Sequence, residues 1–83
     1  MTVHRMIAPL GKAFLAPKMV TFGYQQAREE FSLWYDSEAS PDATYIVVGT
    51  GHDSPPYGPW ELVATAVMPD GYHVLHLLRQ VTP

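Results

Sequence analysis

The sequence WELVATAVMPDGYHVLHLL, residues 60–78, carries the strongest local folding signal in the chain. Two apolar runs, residues 60–67 and 72–78, flank a short loop that ends in Asp70-Gly71. Both residues of this dipeptide tolerate the positive φ that a tight hairpin turn requires. The stretch therefore predicts an antiparallel β-hairpin.

The rest of the chain repeats this pattern of short apolar runs separated by turn residues. Eight prolines and six glycines in 83 residues leave no room for a long helix. The run at residues 44–50 is apolar on both faces and predicts a central strand. We predict an all-β domain of about six short antiparallel strands, either a small barrel-like fold or a two-sheet sandwich. The predicted strands are residues 3–8, 19–25, 31–36, 44–50, 60–67 and 72–78.

Three segments need separate interpretation. Gly23 lies inside the second predicted strand and suggests a bulge or bend there. Residues 25–30 have helix-forming side chains but are too few for a stable helix, so we predict the tip of a long hairpin. Residues 11–16 are predicted to be a loop whose Phe14 and Leu15 enter the core.

Composition limits the class of protein. With 47% hydrophobic and 16% charged residues, residues 1–83 form one globular domain. The absence of cysteine excludes disulfides and thiolate metal sites. A net charge of -3 argues against nucleic acid or an anionic membrane as a partner. No apolar run reaches the roughly 20 residues of a membrane span, and the N-terminus lacks the charged-then-apolar pattern of a signal peptide, so we expect a cytoplasmic protein.

The four histidines are the only near-neutral acid/base groups and the main metal-ligand candidates. His73 and His76 are three apart, which places them on opposite faces of a strand. His4, His52 and His76 could still meet from separate strands, but structural roles are favoured. No diagnostic nucleophile context such as Gly-x-Ser-x-Gly is present, so we expect no enzyme activity, no cofactor and no metal.

The loop GTGHDS, residues 49–54, contains candidate binding residues Thr50 and His52. Two glycines around a hydroxyl allow backbone N–H groups to converge on an anion. The alternative, which we favour, is a strand that turns sharply, with Thr50 and His52 bonded to loop carbonyls. In either case, loops held by a rigid scaffold are common binding sites.

The aromatic residues are more numerous than a core of this size can bury. Trp34, Tyr57 and Trp60 are candidate binding residues, because Tyr and Trp are enriched at binding hot spots. The few basic residues do not form the groove that single-stranded nucleic acid needs, so a protein partner is favoured. An exposed sheet edge would also favour homodimerisation or addition of a partner strand. The seven Tyr and Trp residues are Tyr24, Trp34, Tyr35, Tyr45, Tyr57, Trp60 and Tyr72.

Several short motifs together resemble a family of short bacteriophage proteins of unknown function. The resemblance is carried by VHR at residues 3–5, LW at 33–34, IVVGTGH at 46–52, Gly71, and VLHL at 74–77. The shared features are the "GTGH" strand end and the C-terminal "HL" strand. The resemblance implies a phage origin and a life in the host cytoplasm, and it supplies no catalytic residues.

Two functions follow as expectations from these residues. The first is a phage-encoded accessory protein that binds a host protein through exposed aromatic residues and a sheet edge, in host modulation or anti-defence. The alternative is a binder of a small molecule or nucleotide signal that uses the turn at residues 49–52 to hold a phosphate.

Overall fold

The computed structural model describes residues 1–81, which form seven β-strands and one short 3-10 turn, Gln26–Arg28. None of these residues belongs to a helix that is long and apolar enough to cross a membrane. The strands are β1 (Val3–Ile7), β2 (Phe14–Ala16), β3 (Val20–Gln25), β4 (Glu30–Asp36), β5 (Ala43–Gly49), β6 (Trp60–Val67) and β7 (Val74–Gln80).

The strands form two antiparallel sheets. The three-stranded sheet has the order β1-β4-β3, and the four-stranded sheet has the order β2-β5-β7-β6. The sheets do not close into a barrel within the described residues. The all-β prediction is confirmed in its two-sheet form, with one strand more than expected.

The core lies between the two sheets. Leu33 of the three-stranded sheet and Tyr45, Val47 and Leu77 of the four-stranded sheet are fully buried. The Tyr45 hydroxyl donates a 2.6 Å hydrogen bond to the carbonyl of Pro17, so its polar end is satisfied inside the core. β5 lies between β2 and β7, which confirms the predicted central strand.

The predicted C-terminal hairpin forms from β6 and β7. Gly71 has a φ of 76°, and its N–H donates to the carbonyl of Met68. β7 begins at Val74 rather than at the predicted Tyr72. The reason is that Oδ1 of Asp70 accepts the backbone N–H groups of Tyr72 and His73 and holds both residues in the turn.

The prediction for residues 11–16 is wrong in its second half. Phe14–Ala16 pairs with β5, and the Phe14 ring stacks on Tyr45 with ring centroids 5.7 Å apart. Alternation along this strand then turns Leu15 away from the core, where it is 63% exposed. Only Phe14 of the predicted pair packs against the core.

The predicted irregularity at Gly23 is also absent from the described strands. β3 and β4 pair in continuous register from Val20 to Gln25, and the space beside Gly23 would admit a Cβ at an ordinary 3.9 Å from Trp34. A register shift occurs instead in β6, between Leu62 and Ala64. Residues 25–30 do form the tip of the β3–β4 hairpin, as predicted.

Candidate binding site

The segment that joins β5 to β6, residues 50–59, is called here the crossover segment. β5 and β6 both pair antiparallel to β7, which lies between them, so they run in the same direction. The connection must therefore return from one end of the four-stranded sheet to the other. This segment holds three of the five predicted site residues, Thr50, His52 and Tyr57, and leads into a fourth, Trp60.

The crossover segment passes over the outer face of the four-stranded sheet. At its start, Thr50 Oγ1 lies 2.7 Å from His76 Nε2, and near its end Gln80 Nε2 donates a 2.9 Å hydrogen bond to the carbonyl of Tyr57. His76 and Gln80 are four apart on β7 and so share a face. Ile46 pairs with the intervening Leu78 on this face and is only 3% exposed. The segment thus works as a cover for the sheet.

His76 is fixed between two threonines from neighbouring parts of the sheet. Its Nε2 lies 2.7 Å from Thr50 Oγ1, and its Nδ1 lies 2.9 Å from Thr65 Oγ1. A neutral imidazole accepts at one nitrogen and donates at the other, so both contacts can be satisfied together. The Thr50 hydroxyl is therefore used by His76, and the expectation that it bonds a loop carbonyl is wrong.

A sharp turn follows β5, as the two glycines predict. The N–H of His52 donates to the carbonyl of Gly49 at 3.1 Å, and Gly51 has a φ of 83°. The His52 ring folds back onto Gly49, where an added Cβ would meet Nδ1 at 3.0 Å. The His52 N–H and the Thr50 hydroxyl, two groups that an anion would need, are thus bonded within the protein.

Tyr57 and Trp60 lie together, with ring centroids 5.5 Å apart at 61°. Trp60 is used internally, because its Nε1 donates a 2.9 Å hydrogen bond to the carbonyl of Pro55 and its ring packs against Gly58. Tyr57 is 52% exposed. Trp60 therefore fastens the crossover segment, and Tyr57 is the more accessible of the two aromatics.

The histidines do not converge. His4 forms a T-shaped pair with Tyr35, His52 packs on Gly49, and His76 lies between its threonines. His73 makes a 2.7 Å contact with the carboxylate of Asp70 in the hairpin turn. No three His, Asp or Glu side chains among residues 1–81 are placed to hold a metal ion.

The fifth predicted residue, Trp34, lies far along the chain from these loops and lines an open groove of about 630 Å³. Trp34 is directly opposite Arg5 and Thr21 in the three-stranded sheet and shares their outer face. The groove is called here the Trp34 groove. It is lined by Met1, Val3, Pro17, Lys18, Met19, Val20, Thr21, Trp34, Tyr35, Asp36, Ala39, Ser40 and Asp42.

Exposed methionine and valine side chains distinguish the Trp34 groove from the crossover segment. Met1 is 90% exposed, Met19 is 86% exposed and Val3 is 62% exposed. Sequence reasoning missed these three residues. The sequence pattern places Met19 only as the first residue of a predicted strand. In the structure β3 begins at Val20, and Met19 lies just before it.

One carboxylate of the Trp34 groove is held in its ionised form. Oδ1 of Asp36 accepts the backbone N–H groups of Glu38 at 3.0 Å and of Thr2 at 3.2 Å. The Glu38 hydrogen bond is the main reason that the pKa of Asp36 lies below its ordinary value. The groove thus combines an apolar surface with a fixed negative charge at its wall.

Comparison of the chain with family models, with curated proteins and with solved structures finds no match. The resemblance to short bacteriophage proteins therefore stays a prediction.

Proposed function

We propose that this protein is a binding protein that holds an apolar segment of a partner protein in the Trp34 groove. One observation carries the proposal: Met1, Val3 and Met19 are exposed together around the ring of Trp34 in a single open groove. Clustered exposed apolar side chains mark interaction sites. Methionine also adapts its flexible, polarisable side chain to a partner surface.

Charge around the groove favours a partner segment with Lys or Arg next to its apolar residue. Asp36 and Asp42 line the groove, with Lys18 as its basic side chain, and the ammonium group of Met1 is already paired with Glu38 at 2.9 Å. The chain as a whole has a net charge of -3. Electrostatic complementarity of this kind raises association rates and orients the partner more than it adds affinity.

The groove is a better candidate than the predicted aromatic pair. Trp60 already packs on Gly58 and donates its N–H to Pro55, so binding a partner through it would cost internal contacts. Trp34 makes no such side-chain hydrogen bond within the described residues. In line with the resemblance to phage proteins, we propose a host protein as the partner class to test first.

Selection of peptides from a displayed random library tests the proposal even though the partner is unidentified. The full-length protein is the bait, and affinities of the enriched peptides are then measured with purified variants. Met19→Lys places a charge in the groove at a highly exposed position, so the fold should tolerate it. Tyr72→Lys is the matched control, because Tyr72 is 89% exposed and does not line the groove.

We expect enriched peptides to combine a bulky apolar residue with Lys or Arg. Met19→Lys should weaken their binding by at least about tenfold, as for loss of a hot-spot contact, and Tyr72→Lys should leave it unchanged. Enriched peptides that bind Met19→Lys as well as the unmodified protein would overturn the assignment of the groove.

A further inference from the structure

The two sheets have four edge strands, and three of them are protected within residues 1–81. β2 is only three residues long, β6 contains the register shift between Leu62 and Ala64, and β3 packs alongside β6. Short length, irregularity and coverage are devices that prevent edge-to-edge pairing. β1 has none of these devices. It is a regular five-residue strand that pairs with β4 alone in this part of the chain.

The alternation of hydrogen bonds shows which groups of β1 face outward. Thr2 and Ala8 flank β1, and both form backbone hydrogen bonds on the side of β4. The N–H of Ser37 donates to the carbonyl of Thr2, and the N–H of Ala8 donates to the carbonyl of Phe31. Antiparallel pairing then directs every second residue toward β4. The N–H and C=O groups of Val3, Arg5 and Ile7 therefore point away from the sheet.

The side chains at these three positions leave the edge accessible. Val3 is 62% exposed and Ile7 is 59% exposed. Arg5 would be expected to guard the edge with its charge, but Nη1 of Arg5 bonds to Glu30 Oε2 at 3.0 Å and to Ser32 Oγ at 3.2 Å. Both partners belong to β4, so the guanidinium leans inward across the sheet.

We propose that a second copy of this chain pairs with β1 in antiparallel register about a two-fold axis at Arg5, which joins two three-stranded sheets into one six-stranded sheet. Val3 belongs both to this edge and to the Trp34 groove, but the inference rests on the backbone of β1 and does not depend on what the groove binds.

The edge of β1 is complementary to itself, which favours a second copy of the chain as its partner and sets the register of the pairing. With the axis at Arg5, Val3 of each copy meets Ile7 of the other, so exposed apolar side chains pair with each other. This register pairs all three outward-facing residues and forms about six hydrogen bonds, two for each hydrogen-bonded pair. The strands are antiparallel, so the two guanidiniums lean in opposite directions, each toward its own Glu30.

The absence of cysteine from the chain allows a direct test of the register by single-cysteine cross-linking in solution. Hydrogen-bonded antiparallel partners lie about 5.5 Å apart at Cα, within the range for a disulfide. The variants are Val3→Cys, Arg5→Cys and Ile7→Cys, oxidised under mild conditions and analysed by non-reducing mass spectrometry. A mixture of Val3→Cys and Ile7→Cys does not disturb Arg5, so the test stands even if Arg5→Cys folds poorly.

We expect Arg5→Cys to cross-link to itself. In the mixture, the Val3→Cys to Ile7→Cys species should exceed either self-linked species by about tenfold, because only the mixed pair meets the distance limit. A statistical distribution of mixed and self-linked species, or no disulfide in any sample, would overturn the proposal.

Sedimentation equilibrium of cysteine-free variants provides a second readout. Ile7→Lys should weaken the dimer by at least about tenfold, because a charge on an edge strand opposes pairing. Leu62→Lys is the matched control, since Leu62 is 63% exposed on an edge strand of the other sheet. Equal weakening by both variants, or a monomer at all concentrations of the unmodified protein, would contradict the β1 edge as the interface.

Discussion

Arg5 covers Ser32: Nη1 of the arginine donates a 3.2 Å hydrogen bond to the serine hydroxyl across two neighbouring strands. Ser32 is fully buried, although its side chain is on the outer face of the three-stranded sheet. The same guanidinium bonds to Glu30, so the arginine is fixed at two points. This contact both protects a polar group on the sheet face and keeps the arginine away from the strand edge.

Replacement of Ser32 with Ala should lower the free energy of unfolding by about 1 kcal/mol, the net value of a typical buried hydrogen bond. Arg5 retains its contact with Glu30, so the loss should be no larger. Urea unfolding followed by circular dichroism measures the effect. Ser54→Ala, at an exposed position, should change stability by less than about 0.5 kcal/mol. A Ser32→Ala variant as stable as the unmodified protein would show that the contact is not stabilising.

Glu30→Gln should weaken the proposed dimer by about fivefold, because Glu30 holds and neutralises Arg5, and the two Arg5 residues occupy opposite positions at the two-fold axis. Sedimentation equilibrium at low and high salt measures the change. The difference between the variant and the unmodified protein should decrease in high salt, since screening reduces the repulsion between the arginines. A salt-independent difference would argue against an electrostatic cause.

Tyr45→Phe should destabilise the fold by about 1–2 kcal/mol, because it leaves the Pro17 carbonyl in the core without its donor. Tyr72→Phe is the matched control, since Tyr72 is 89% exposed, and should have almost no effect. Urea unfolding of both variants tests this. Similar midpoints for the two variants would mean that the Pro17 carbonyl finds another donor.

Gly58→Ala should destabilise the protein by about 1–3 kcal/mol, as overpacking does, because the new Cβ would lie 2.6 Å from Cδ1 of Trp60. The indole must then move and lose its hydrogen bond to Pro55. Gly23→Ala provides the comparison, because its Cβ would make an ordinary 3.9 Å contact with Trp34. Thermal unfolding should show a clear decrease for Gly58→Ala only. Equal decreases in melting temperature for the two variants would show that the loss comes from the change in the backbone and not from the contact with Trp60.

The hairpin turn should contribute stability that depends on the charge of Asp70. Its pKa is lowered mainly by the hydrogen bond from the backbone N–H of Tyr72 and next by that from the His73 side chain. A lowered folded-state pKa means that the contribution is complete above the ordinary carboxyl pKa near 4 and is lost as pH falls through the lowered value. Asp70→Asn should therefore melt at a lower temperature than the unmodified protein at pH 7, and the difference in melting temperature should shrink as the pH falls below the ordinary carboxyl pKa. A difference that stays constant with pH would contradict this assignment.

The parts of the structure that were predictable from sequence are those set by local contacts. Asp70-Gly71 specifies its turn within a few residues, and the apolar run at residues 44–50 indicates a central strand by itself. The Asp70 side chain then delays the start of β7, a detail that depends on turn geometry rather than on pattern. Gly23 was misjudged because a glycine does not by itself interrupt strand pairing: Gly23 pairs with Ser32 within a continuous register.

The binding surface was less predictable because it depends on strand order. Trp34 was recognisable as a surplus aromatic, but Met19 becomes a groove residue only when β3 and β4 pair and leave their outer face uncovered. His76 similarly meets Thr50, 26 residues away, and Thr65, 11 residues away, only because β5, β7 and β6 are neighbours. Such contacts follow from topology, which local sequence patterns do not specify.

Binding of a partner segment in the Trp34 groove is tested most directly by a two-dimensional NMR titration of the ¹⁵N-labelled protein with an enriched peptide. We predict that the largest chemical-shift changes occur in the indole N–H signal of Trp34 and in the amide signals of Met19, Thr21, Trp34 and Ala39. The signals of the crossover segment and of the indole N–H of Trp60 should not change. Shifts concentrated between Thr50 and Trp60 instead would contradict this claim and place binding on the aromatic pair.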